Sequence, residues 1–280
     1  MSAIGSLSTA VSTLRANPII LLAGLAFVLV SEVVVLFELV NPLLPLLGYP
    51  LMILVYPFVL AGMIGLIDRS LDGRVSMDDF VDSGRSNYLS MLGASLLLAA
   101  IIVVVTVAIT VVAVVVGAVA GGALLAGGGD DLGTGVLLVI SLVVLFAAGL
   151  LFLVYMFLQF FDTAIVVSGN DAVESISTSV GLVRRNLLSV VGYTILFGLV
   201  SFVPRIPDTV AYMLGSTPEL IDEVGFDIGL TSQQLLGLSI GLSLVFGTIA
   251  LSLAYTYHVA YFRSIRESHP STRAAVGAAD

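Results

Sequence analysis

Few side chains in this sequence could carry chemistry, and most of them interrupt long apolar runs. Glu32 and Glu38 stand in the first run, Gln159 and Asp162 close the fourth, and His258 sits among Tyr255, Tyr257 and Tyr261 near the end of the last. A carboxylate in an apolar run is costly to keep ionised, so Glu32 suits a proton relay, a cation site or a substrate anchor. The plainer alternative is a hydrogen-bonded glutamate within a helical bundle, or for Glu38 a side chain reaching an outer boundary. Histidine titrates near neutrality, which would suit a pH-sensitive gate at His258. A hydrogen-bonded imidazole in an aromatic interface belt is the simpler expectation. No nucleophile and base stand together, so no catalytic residue is assigned and no enzyme is expected. With no cysteine, and with His258 and His269 as the two histidines, no metal site or cofactor is implied. All ten basic residues are arginines, which excludes Walker-type phosphate loops, Ser-Lys pairs and Schiff-base lysines.

The elements that must position these residues follow from composition. Hydrophobic residues make up 59% of the chain and charged ones 10%, with a mean hydropathy of +1.15. Soluble domains carry roughly a quarter charged residues, so the chain reads as an integral membrane protein. Six apolar runs of spanning length occupy about residues 18–40, 49–67, 88–121, 136–167, 187–203 and 234–262. The fold class expected is all-α, a polytopic membrane bundle. One six-span domain covers 1–266, followed by a polar tail at 267–280. Because several runs are separated by short charged stretches, the first reads as a retained span and not a cleaved signal. Gly117 with Gly121, and Gly237 with Gly241, are GxxxG pairs that would allow close helix approach.

A short pattern recurs where spans begin: RANPIILLA at Arg15, RSNYLSMLG at Arg85 and RRNLLSVVG at Arg184. In that register Ser6 falls on Ser76 and Ser175, and Asn17 on Asn87 and Asn186. The chain therefore reads as three units, about 1–69, 70–169 and 170–266, each an amphipathic helix followed by a transmembrane hairpin. Arginine at each step would meet phosphate headgroups, Arg185 included, and asparagine could cap the following helix. The amphipathic segments either lie in the headgroup layer or cover the end of the bundle.

The second span of each unit closes on a related pattern: Leu66-Ile67-Asp68, Phe160-Phe161-Asp162 and Tyr261-Phe262-Arg263. Two acids and one base at equivalent ends suggest an ion-pair cluster, a structural lock that could draw in Arg15, Arg85 or Arg184, with Gln159 one turn before Asp162. If the N-terminus is cytoplasmic, nine of the ten arginines lie inside and only Arg205 outside. Both termini are then cytoplasmic, in a cell membrane. Acids gather on the other face, at Asp130, Asp131, Asp208, Glu219, Asp222, Glu223 and Asp227. That charge, with a pI near 4.5, disfavours nucleic-acid binding.

The segment FFDTAIVVSGNDAVESISTSVGLVRRNLLSVVGY, residues 160–193, resembles six-span membrane proteins of haloarchaea to which no activity is assigned. The acidic, lysine-free composition is similar to that of proteins from salt-loving archaea. More distantly, the segment is similar to the membrane domain attached to some bacterial glycerophosphodiester phosphodiesterases. The resemblance implies six spans with an amphipathic helix before each odd one, and carries over no catalytic residue. Two classes of function are expected. One is a non-enzymatic scaffold or accessory protein with membrane lipid, or a membrane protein, as its partner. The other is a small-solute transporter or channel using Glu32. A transporter should show a polar path reaching Glu32, and a scaffold a dry core with its polar groups at one end.

Overall fold

A computed structural model describes residues 3–41, 43–127, 134–217 and 229–267, and every element among them is helical. The order is α1 (Ala3–Ala16), α2 (Ile20–Val40), α3 (Pro45–Ser70), α4 (Met77–Gly127), α5 (Thr134–Leu158), α6 (Phe161–Ser168), α7 (Ala172–Arg185) and α8 (Leu187–Phe202). A 3₁₀ turn (Val203–Arg205) leads into α9 (Ile206–Ser216). The last path runs through α10 (Ser232–Leu242), a π-helical turn (Ser243–Gly247) and α11 (Thr248–Glu267). Five helical stretches are long and apolar enough to cross a membrane: Gly48–Ser70, Met77–Val119, Leu138–Ser168, Leu187–Ser216 and Ser232–Glu267. The pair Ala3–Ala16 and Ile20–Val33, bent by 98°, supplies a sixth candidate. The molecule is an all-α membrane protein.

Local chemistry explains the breaks. Pro18 has no N–H and disfavours helix at the residue before it, so α1 stops and Asn17 leaves the helical path. At the end of α6, Gly169 takes the left-handed conformation (φ 72°) and donates its N–H to Ile165 O at 3.0 Å. Asp171 then caps α7, its carboxylate accepting from the N–H groups of Val173 and Glu174 at 2.9 and 2.8 Å. Asp79 Oδ2 accepts from the N–H of Ser76 at 2.8 Å at the start of α4. Thr231 and Gln234 form a reciprocal capping box on α10.

Three expectations are corrected here. The second amphipathic segment is not a separate helix, because α4 is continuous for 51 residues from Met77 through Asn87 into its apolar half, about 75 Å of rise. The asparagines do not cap the following helices. Asn87 and Asn186 donate back to the carbonyls of Ser83 and Leu182, four residues earlier, and Asn17 donates across to Ser70 O at 3.3 Å. Finally, a side chain at Gly117, Gly237 or Gly241 would meet nothing within 4 Å. Helices approach closely at Gly62 and Gly65 of α3 against Phe80 and Ser83 of α4, and at Gly84 against Phe58.

The amphipathic helices pack against the ends of spans. α1 lies on α11, the first turns of α4 on α3, and α7 on α5 and α6. The positions they bury match along the chain: Ala10, Phe80 and Ser179, then Thr13, Ser83 and Leu182. α11 runs through the middle and touches α1, α2, α3 and α8, burying Tyr257, Val259, Tyr261 and Phe262 completely. By contrast, the remote halves of α4 and α5 bury almost nothing and present Val, Leu and Ile on all sides, as lipid-facing helices do.

Candidate functional site

The site begins at an interruption. α5 ends at Leu158 and α6 begins at Phe161, so Gln159 and Phe160 form a turn inside an apolar span. Ser179 of α7 repairs the broken backbone: its Oγ accepts from the N–H of Phe160 at 3.1 Å and donates to Phe157 O at 2.8 Å. Non-helical backbone at membrane depth persists where protein satisfies its polar groups, and one fully buried serine does so here.

Asp162 sits in the first turn of α6, where the helix dipole favours a carboxylate. Its Oδ1 accepts from the N–H and hydroxyl of Thr163 at 2.6 and 3.2 Å and meets His258 Nε2 at 3.2 Å. The other ring nitrogen, His258 Nδ1, is bonded to the Tyr193 hydroxyl. An imidazole carrying its proton on Nε2 satisfies both contacts, donating to Asp162 and accepting from Tyr193. Phe160 stacks on the ring at 5.2 Å, with Phe197 and Tyr255 also against it. His258 and Asp162 are 3% and 6% exposed and Tyr193 is fully buried, so this chain of polar groups is inside the protein. Tyr257 and Tyr261, expected at a membrane interface, are fully buried core residues. Next to the chain, Gln159 donates to Met156 O at 3.0 Å and to Thr194 Oγ1 at 3.1 Å.

This polar group closes one end of a cleft of about 650 Å³ between α3, α4, α5, α6, α8 and α11. Met52, Ile53 and Leu60, Leu96, Ala99 and Ile102, and Leu151, Val154 and Leu158 make its walls. Gln159, Asp162 and His258 stand in its lining with Tyr56, Tyr155 and Tyr255. Among the described residues no arginine lines it.

The remaining sequence-selected residues lie elsewhere. Arg263 clamps the end of α3: Nε donates to Asp68 Oδ1 at 2.6 Å, and the two terminal nitrogens reach Asp72 at 2.9 and 2.8 Å. That guanidinium holds the Asp72 carboxyl below its ordinary range. Asp162 is not part of this cluster, because α6 turns its carboxylate toward the imidazole. Arg15, Arg85, Arg184 and Arg185 are exposed and join no ion pair among the described residues. Glu32 accepts from the Ser243 hydroxyl at 2.6 Å, where the π-helical turn meets α2, and is not a lining residue of the cleft. Glu38 falls within α2, but its side chain is outside the described residues, as are His269 and the acids Asp130, Asp131, Glu219, Asp222, Glu223 and Asp227. Among the described residues no cluster of metal-binding type exists.

The model of a family described as a domain of unknown function, DUF7847, matches residues 1–265. This chain belongs to that family. The match takes in every helix that builds the cleft, so the DUF7847 unit and the bundle described here are the same object. No curated protein and no solved structure matches the chain. Tyr193, Thr194 and Ser179 are the members of the site that sequence reasoning missed. The signal available for Tyr193 was its place one and a half turns into α8, after Gly192, where the register that aligns Arg184 with Arg15 and Arg85 sets it on buried Gly24 and Ala94.

Proposed function

We propose that this DUF7847 protein is a non-enzymatic scaffold or accessory protein of the cell membrane that retains an amphiphilic, lipid-like molecule in the cleft. The observation that carries this reading is the form of the cavity: apolar walls of three long helices ending on one hydrogen-bonding group, Gln159, Asp162 and His258. Such a cleft suits a hydrocarbon chain with a small polar head. His258 reads here as a structural member of the lining, its ring nitrogens held by Asp162 and by Tyr193, both buried. A transporter built on Glu32 would need a polar path to it, and Glu32 is held by Ser243 away from the cleft.

The same reading takes the chain as three units in a ring, each amphipathic helix covering the end of a hairpin from the neighbouring unit. Arg15, Arg85 and Arg184 then face lipid phosphates at the cytoplasmic boundary, with both termini on that side. The acidic opposite face and pI near 4.5 support a surface suited to high salt. Native mass spectrometry of protein extracted gently from its own membranes tests the reading. Wild type should carry a stoichiometric amphiphile, and Ala99→Trp, which places an indole in the cleft from an exposed position, should lose it. Equal adducts on both proteins would refute it.

A further inference from the structure

We propose that the molecule held in the cleft carries a positively charged, N–H-bearing head, an alkylammonium, seated against Asp162. This inference rests on the reading of the cleft as an amphiphile site and concerns the chemistry of the head alone. The nitrogen donors at the polar end are already committed. Gln159 Nε2 gives its hydrogens to Met156 O and Thr194 Oγ1, and the Nε2 of His258 meets Asp162 Oδ1. The hydroxyls of Tyr56, Tyr155 and Ser95 share that lining, and beside them stands unused acceptor capacity on a carboxylate.

Asp162 Oδ1 is surrounded by three donor groups, whereas its second oxygen takes no hydrogen bond among the described residues. Pro57 has no N–H to offer the carbonyl of Ile53 four residues before it, and both residues line the cleft. Among the described residues Asp162 is also the only carboxylate in the lining, no arginine stands there, and Arg263 is occupied by Asp68 and Asp72. Among the described residues the one neighbour of Asp162 able to carry positive charge is the imidazole of His258, on Oδ1, so an ammonium on the second oxygen would add a full cation to a buried carboxyl that no arginine reaches. The rings of Tyr56, Tyr155, Phe161, Phe197 and Tyr255 share the same lining and offer aromatic faces, which attract cations. A phosphate or sulfate head would instead meet the carboxylate with no arginine among the described lining residues to offset it.

The ammonium could belong to a membrane aminolipid or to a small amphiphilic amine. In native spectra of protein from its own membranes, the adduct mass separates the two sources. Either of these masses agrees with the proposal, and an adduct lacking an amine contradicts it. The decisive test titrates the full chain, in nanodiscs of a zwitterionic lipid, with decylammonium, decanol and decyl sulfate, each corrected against empty nanodiscs. Decylammonium should bind at least tenfold more tightly than decanol, and decyl sulfate most weakly. Asp162→Asn should reduce the ammonium-to-alcohol ratio to near one while keeping alcohol binding. If that variant fails to fold, Tyr155→Ala, at a half-exposed position on the cleft, should lower the ratio several-fold. Equal binding of ammonium and alcohol overturns the charge assignment and leaves the amphiphile site standing. Failure of all three probes to bind overturns both.

Discussion

Replacing Gly65 by alanine should be among the most damaging single-methyl additions in this protein. A Cβ at that position would lie 2.3 Å from the Cβ of Ser83 and 1.9 Å from its Oγ, with Val166 Cγ1 at 3.5 Å. Rotation of Ser83 can move the hydroxyl, at the loss of its 2.9 Å bond to Ala61 O, but not its Cβ. α3 and α4 must therefore separate by more than an ångström where they are most closely packed. Overpacking of this kind costs about 1–3 kcal/mol, and the buried hydrogen bond adds about 1 kcal/mol. The helical preference of alanine over glycine returns roughly 0.5–1 kcal/mol. The net loss of about 1–3 kcal/mol is a fall of roughly fivefold or more in the ratio of folded to unfolded protein. The control is Gly117→Ala on exposed α4, where the added methyl meets nothing within 4 Å. Reversible unfolding of both variants in mild detergent, followed by circular dichroism against added denaturing detergent, measures the difference. Equal midpoints for the two variants would refute the packing of α3 on α4 described here.

Three further outcomes follow from the geometry. Ser179→Ala removes both bonds at the α5–α6 turn and leaves the Phe160 N–H and Phe157 carbonyl without that partner; a loss of about 1–3 kcal/mol is expected in the same unfolding assay. Because the folded-state pKa of Asp72 is depressed by Arg263, the unfolded state binds more protons in acid. The contribution of that pair is present above the ordinary aspartate range and disappears as pH falls through the lowered value, so an unfolding series below about pH 4 should be flatter for Asp72→Asn than for wild type. Glu32→Gln keeps an acceptor for the Ser243 hydroxyl, so it should leave amphiphile retention in native spectra unchanged.

The helices were legible because hydropathy and turn chemistry act locally. Leu66, Phe160 and Tyr261 each stand two residues before a charged residue, Asp68, Asp162 and Arg263, and all three are fully buried, as the apolar-then-charged pattern implies. Arg263 and Asp68 also meet, since both stand at helix ends brought together by packing. Equivalence along the chain was a poorer guide to Asp162. Its partner depends on the turn at Gln159 and Phe160, and no proline or glycine marks that turn in the sequence. Asn87 misled for a related reason: unlike Asn17 it is followed by Tyr88, not proline, and nothing there stops the helix. The cleft itself is assembled from residues on six helices, so its shape exists only after packing.

Where a hydrocarbon probe rests in the bundle tests the central claim most directly. A decylamine bearing a photoreactive diazirine on its chain, irradiated with the full protein in nanodiscs and mapped by peptide mass spectrometry, reports the contact residues. The account predicts labels concentrated on the peptides carrying Met52 to Leu60 and Leu151 to Asp162, and removed by Ala99→Trp. Labels spread over the lipid-facing valines of α4 from Val103 to Val119, and unaffected by that substitution, would contradict it.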